Sequence, residues 1–296
     1  MSGVVWDVKG EARASTRRNK HSIRKMSRAE ITGGDLIYEN ILGMTIKENL
    51  KDLEKIHDVR ILLAVESGSR AWGFESKNSD WDVRFIYVHK PEWYLRIEEQ
   101  RDVIERMDGE IDLVGWELRK SLRLLKRSNP SFLEWIYSPI VYYKDNYFLD
   151  CIRKAENDFF NPISSLYHYS RIYIKHDERY LQKGNCSMKK FLYYLRGVLA
   201  CKWIEQNKSL PPVAFGELVN GTVDDRNIRE MINDLILLKK DGEEHDMLVV
   251  DNGLIEYARH WADYFVERIG SFKPEMIRVS TSILDSILCD MVFLKR

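Results

Sequence analysis

The chain has 296 residues, of which 44% are hydrophobic and 31% charged, a composition that suits a folded, core-bearing protein and excludes a disordered one. Its apolar runs, such as Ile61 to Val65, fall far short of the ~18 residues of a membrane span, and its length corresponds to about two domains. Lysine plus arginine equals 46 and aspartate plus glutamate equals 46, so net charge alone does not mark a nucleic-acid binder.

The charge is uneven along the chain. Up to Arg28 there are eight basic residues against Asp7 and Glu11, which leaves six net negative charges on the remainder. Residues 1–35 therefore read as a basic, solvated arm that attracts phosphates. The arm has no apolar segment of the kind a secretory signal carries. Gly33-Gly34 is expected to break the chain, and Thr45 with Glu48 forms a capping box for a helix carrying Ile46, Leu50 and Leu53. Val59 to Val65 reads as a buried strand that ends in Glu66-Ser67-Gly68-Ser69-Arg70. A second strand covers Trp81 to Val88, and Pro91 opens a short helix or turn. Asp102 to Met107 and Glu110 to Val114 form a hairpin about Asp108-Gly109. Leu118, Leu122 and Leu125 share one helical face until Asn129-Pro130.

From about Cys151 helical patterns dominate. Helices are expected over 187–206, 224–240 and 245–269, with a last one after Pro274 ending near Met291. The fold class is thus α+β: an N-terminal α/β domain with a mixed sheet over 36–150, then an all-helical domain over 151–296. Cys151, Cys186, Cys201 and Cys289 form no C-x-x-C pair, as expected of free thiols in a reducing cytoplasm. The seven histidines show no metal-binding spacing and read as surface or core residues. Trp116, Trp135 and Trp203 read as core.

The chemistry is concentrated in Gly68-Ser69, ten residues, and Asp80-Trp81-Asp82, followed by Asp112 on a later strand. Side chains two apart on a strand project to the same face, so Asp80 and Asp82 point together. Paired carboxylates repel, and a hard divalent cation such as Mg²⁺ or Mn²⁺ relieves that repulsion. Asp112, flanked by core-facing Ile111 and Leu113, points the other way beside Glu110, which competes for the same role. If the two strands pair, three carboxylates converge, and such a set can hold two ions as phosphoryl-transfer sites do. Backbone N–H groups at Gly68 and Ser69, with Arg70 beside them, would cradle phosphate oxygens.

These residues carry a resemblance. Gly68-Ser69, Asp80-x-Asp82 and Asp112 look like the DNA polymerase β-type nucleotidyltransferase superfamily. The strings 66–74 and 79–87, with the block 189–196 and Pro211-Pro212, resemble more specifically its RlaP/YcgL-like branch, which is linked by association to RNA repair. The resemblance covers roughly residues 58 to 270. It implies that Asp80 and Asp82 bind both metals and that Asp112 helps to activate the attacking hydroxyl. It also implies an NTP substrate and an acceptor hydroxyl. An RNA 3′ end is favoured as acceptor; a protein hydroxyl, and a non-catalytic nucleotide-binding module, are the other readings. Lys189, Tyr193 and Arg196 lie at i, i+4 and i+7 of one helix, either as a stripe on the cleft or as a solvated face.

Overall fold

The protein is described from a computed structural model that covers residues 4–6, 12–14, 33–177, 187–241, 250–272 and 280–294. Most of the basic arm lies outside the described residues, and so does Cys186. Within the arm, β1 (Val4–Trp6) pairs antiparallel with β2 (Ala12–Ala14).

The first long helix, α1 (Gly33–His57), begins well before the expected cap. Gly33-Gly34 opens this helix, and Thr45 lies inside it. The helix is continuous through Thr45, so Thr45 and Glu48 lie in its interior, where a capping-box sequence has no free helix end to cap. Next come β3 (Val59–Glu66), α2 (Gly68–Trp72), β4 (Trp81–His89) and α3 (Pro91–Tyr94). They are followed by β5 (Val103–Asp108) and β6 (Ile111–Glu117), joined by the two-residue turn Gly109-Glu110. Glu110 is therefore an exposed turn residue and not part of the strand.

Asn129 and Pro130 end one helix and start another. After α4 (Leu118–Lys126), the Asn129 side chain accepts the N–H of Phe132 at 3.0 Å and caps α5 (Pro130–Ile136), in which Pro130 occupies the first turn. A short edge strand follows, β7 (Val141–Lys144), which sequence reasoning does not expect. The rest of the described chain is helical: α6 (Asn146–Phe159), α7 (Pro162–His176), α8 (Met188–Asn207), α9 (Phe215–Thr222), α10 (Arg226–Asp241), α11 (Asn252–Ile269) and α12 (Ser282–Phe293).

The five-stranded sheet has the order β5-β6-β4-β3-β7 and is mixed, with β4 and β6 parallel and the other neighbours antiparallel. Alternation along β4 sorts its residues between two cores. Trp81, Val83, Phe85 and Tyr87 face α1, together with Ile111 and Leu113. Ile86 and Val88 face the opposite side, where α4, α5 and α6 cover the sheet. Asp82, Arg84 and Asp112 share that second face by the same alternation. They sit at its uncovered end, where β4 and β6 begin and β3 finishes. A third core joins α7 through α11 and takes in Phe74 from the loop after α2. The last helix does not stay with its sequence neighbours: α12 packs beside α4 and α6 on the sheet, and the Arg60 side chain donates to its Met291 carbonyl at 2.5 Å.

Candidate active site

The parallel pairing of β4 with β6 places Asp82 directly opposite Asp112. Asp82 Oδ1 and Asp112 Oδ2 both accept from one nitrogen, Nη2 of Arg84, at 2.7 and 2.9 Å. Nη1 of the same guanidinium donates to the Asp112 carbonyl at 2.9 Å. Arg84 lies two residues beyond Asp82 on the same strand, so the face that presents the acid also presents the cation that pairs with it. Burial pushes the Asp82 carboxyl above its ordinary value; Asp112 and Asp80 add to that push, and Arg84 and Lys189 oppose it.

The turn after β3 fits against this pair. Gly68 opens α2 with φ +61°, and a Cβ at this position would stand 2.3 Å from Asp82 Oδ2. Only a residue without a side chain lets the carboxylate lie against the backbone here. The adjoining Ser67 N–H donates to the Asp82 carbonyl at 2.9 Å. Before the turn, Glu66 is fully buried and accepts the Asp82 N–H at 2.7 Å and the Tyr142 hydroxyl at 2.5 Å.

The expected residues divide into three groups. Gly68, Asp82, Tyr193 and Arg196 line one cleft of about 350 Å³, with Ser67 and Arg84 beside them. Asp112 adjoins it through Arg84, and Lys189 stands near enough for its charge to act on Asp82. Asp80, Ser69 and Arg70 are placed otherwise. Asp80 is exposed one residue before β4, and its influence on Asp82 is electrostatic. Ser69 is buried, and its carbonyl accepts the N–H groups of Gly73 and Phe74. Arg70 donates to the carbonyls of Ser79 at 2.7 Å and Asp80 at 3.2 Å and stacks on the Trp81 ring at 3.7 Å. It braces the loop that leads into β4.

Arg196 is also less available than its position on the helix implies. It is 3% exposed, pairs with Glu134 Oε1 at 3.0 Å, donates to the Val213 carbonyl at 3.0 Å and lies over the Trp72 ring. Glu134 is a hub that also accepts from Trp72 at 3.2 Å and Tyr169 at 2.7 Å. This carboxylate joins α2, α7 and α8 at the wall of the cleft. It has no local signal in the sequence, because its partners lie far along the chain. Trp135, expected in the core, is buried, stacks on Trp116 at 3.7 Å and still contributes to the cleft wall. His168 and His176 line the cleft too, and burial pushes the His168 imidazole toward its neutral form.

The donor set can be tested against a metal ion. Two carboxylates converge on a single cationic point, now held by Arg84, and hard oxygens so arranged suit Mg²⁺ or Mn²⁺. Asp80 does not complete a third corner: among the described residues no group of three or more His, Cys, Asp or Glu side chains could hold a metal ion. Asp82 and Asp112 offer two carboxylates of the kind such an ion takes, and Asp80 contributes charge from outside their contact. Among the described residues no helix is long and apolar enough to cross a membrane, and Cys151, Cys201 and Cys289 are free thiols.

Comparison with known proteins adds the following. Residues 42–263 match the model of the RlaP family, described as the RNA repair pathway DNA polymerase beta family. The chain is 44% identical over 232 residues to the uncharacterized protein YcgL of Bacillus subtilis (strain 168), covering 78% of this chain and 88% of that one. It is 29% identical over 138 residues to the uncharacterized protein MJ0002 of Methanocaldococcus jannaschii, covering 45% and 55% respectively. A solved nucleotidyltransferase-like protein from Exiguobacterium sibiricum 255-15 aligns with 84% of this chain and 88% of its own, at 14% identity and a TM-score of 0.33.

Proposed function

Because the chain belongs to the RNA repair pathway DNA polymerase beta family, we propose that it is a nucleotidyltransferase that moves a nucleoside monophosphate from an NTP to the 3′-hydroxyl of an RNA. The observation that carries this reading is the side-by-side placement of Asp82 and Asp112 at the mouth of a cleft, with bare Gly68 backbone against Asp82.

In the proposed reaction the acceptor oxygen attacks the α-phosphorus. A new P–O bond forms, the bond to the β-phosphate oxygen breaks, and pyrophosphate leaves. Asp112 takes or orients the proton of the attacking hydroxyl. Two Mg²⁺ or Mn²⁺ ions, as the family resemblance implies, would be held by Asp82 and Asp112 with Asp80 nearby, and would offset the charge that develops on the phosphate oxygens. Tyr193 and the aromatic walls of the cleft exclude water and give the nucleotide a surface to lie on. Lys189 supplies positive charge on the side of the helices.

The test is transfer of label from [α-³²P]ATP, with Mg²⁺ or Mn²⁺, into a mixture of RNA and protein. Label should appear in RNA and disappear with Asp82→Ala, while circular dichroism shows the fold retained. Label in protein would make the acceptor a protein hydroxyl. NTP binding without any transfer would make the chain a nucleotide-binding module.

A further inference from the structure

The outer face of α4 carries a run of cations. Between Glu117 and Glu134 there is no carboxylate, yet Arg119, Lys120, Arg123, Lys126 and Arg127 all fall in this stretch. Leu118, Leu122 and Leu125 are buried against the sheet, so helical geometry turns the five cations outward. Two of them have local partners: Lys120 pairs with Asp102 at 2.9 Å, and Arg119 lies 4.9 Å over the Tyr94 ring. Arg123, Lys126 and Arg127 are exposed and have no carboxylate partner among the described residues. On one side of the helix, Asp285 of α12 lines the groove beside Arg119, Arg123 and Lys126 without forming an ion pair. On the other, Glu98, Glu99, Asp102 and Glu117 share a groove with Arg119, Lys120 and Arg123, so Arg127, just past the end of the helix, is the cation outside both grooves. This basic face is set in a chain that carries six net negative charges beyond Arg28.

Its placement gives it a direction. α4 leaves the far end of β6 and packs back along β4 and β6 toward the end where Asp82 and Asp112 lie. It runs on through Arg127 and Ser128 into α5, whose Ser131, Glu134 and Trp135 line the cleft. The nine-residue helix is about 13 Å long, and its last cations stand next to the first cleft residues in the chain. A row of unpaired cations that ends at a cleft matches the phosphate spine of a polynucleotide whose terminus enters that cleft.

We propose that the outer face of α4, continued by Arg127, is a track for the phosphate backbone of a single-stranded polynucleotide, whose 3′ end it delivers to Asp82 and Asp112. The proposal rests on reading the chain as a nucleotidyltransferase with a nucleic-acid acceptor. Contacts of this kind carry no base information, so the track sets register and affinity but not sequence preference.

The test uses the full chain and fluorescein-labelled single-stranded RNA and DNA oligonucleotides, with anisotropy followed from about 50 to 200 mM salt. Combining Arg123→Gln, Lys126→Gln and Arg127→Gln should weaken binding at least tenfold and reduce the log–log salt slope by about 2, as expected for three lost phosphate contacts. The Mg²⁺-dependent rise in melting temperature with ATP should stay the same. A control that changes Lys47, Lys51 and Arg226 to Gln should keep its affinity. Preference for the RNA over the DNA oligonucleotide would assign the natural strand to RNA, and the reverse to DNA; either supports the track. Equal affinity and slope in the triple variant and the parent would overturn it while leaving the nucleotidyltransferase reading intact. An equal loss in the control variant, or displacement of the oligonucleotide by polyglutamate as readily as by unlabelled RNA, would also overturn it. Failure of the parent chain to transfer label and to respond to ATP would remove the underlying reading instead.

Discussion

Glu66 and Asp82 are joined through the backbone: the Glu66 carboxyl accepts the Asp82 N–H at 2.7 Å from the end of the neighbouring antiparallel strand. A buried acid thus fixes the position from which the Asp82 side chain leaves β4. Burial pushes the Glu66 carboxyl up to about 7 from an ordinary value of 4.5. Between those values the folded protein holds a proton that the unfolded chain has released. The contribution of Glu66 to stability is therefore complete below about pH 4.5 and is lost as pH rises through 7, a change on the order of 3 kcal/mol. Glu66→Gln should flatten this part of the profile in urea titrations of the EDTA-treated protein. A slope as steep in the variant as in the parent would assign the proton to another group.

Gly68→Ala should act through Asp82. The left-handed backbone at this position costs any residue with a Cβ about 1 kcal/mol, and here the added carbon also collides with Asp82 Oδ2. Gly73 supplies the comparison, because its φ is +83° but no atom lies within 4 Å of a built Cβ. Melting temperature should fall in both variants. Transfer should fall about a hundredfold only in Gly68→Ala, since displacing a reacting group by ~1 Å has that effect. Equal activity in the two variants would show that Gly68 serves the turn alone.

Arg84→Met would leave Asp82 and Asp112 facing each other without their shared cation. The metal-free protein should lose about 2 kcal/mol, less than a fully buried pair because the carboxylates are partly exposed. Addition of Mg²⁺ should then stabilise the variant more than the parent. Melting curves with and without Mg²⁺ measure the difference, and an identical response in both proteins would remove Asp82 and Asp112 as the ion's ligands.

Glu134→Leu should cost about 3 to 5 kcal/mol, because the Arg196 guanidinium is left buried without its carboxylate. Arg196→Met in the same chain should restore much of that loss. Urea unfolding of the two single variants and the double variant gives the coupling. Additive losses would show that the two side chains act independently.

The local part of the site was legible in the sequence. Period-two alternation puts Asp82 and Asp112 on faces opposite to Val83 and Leu113, and the Asp108-Gly109 signal marks the hairpin that brings β6 into place, although Asp108 ends β5 and the turn itself is Gly109-Glu110. The sequence leaves the parallel pairing of β4 with β6 open, because β5 intervenes and no short-range rule specifies which strand β6 adopts as its second neighbour. Arg84 follows from the same alternation, two residues past Asp82 on the same face, but a lone arginine on a strand carries no signal of its own that marks it as the partner of two acids. Arg70 and Arg196 show where sequence reasoning stops. Each sits at a position that points to phosphate binding, and each has a long-range partner that no spacing shows: the Ser79 and Asp80 carbonyls for one, Glu134 for the other. The edge strand β7 and the return of α12 to the sheet were hidden for the same reason.

That return of α12 has a mechanical result. The polypeptide passes from the sheet to the bundle after α6 and comes back to it before α12, so the two halves share two covalent crossings instead of one. The end of the chain is thereby a clasp on the domain that carries Asp82: removing α12 would uncover the apolar surface of α4 and α6 that Leu284, Ile287 and Met291 now shield.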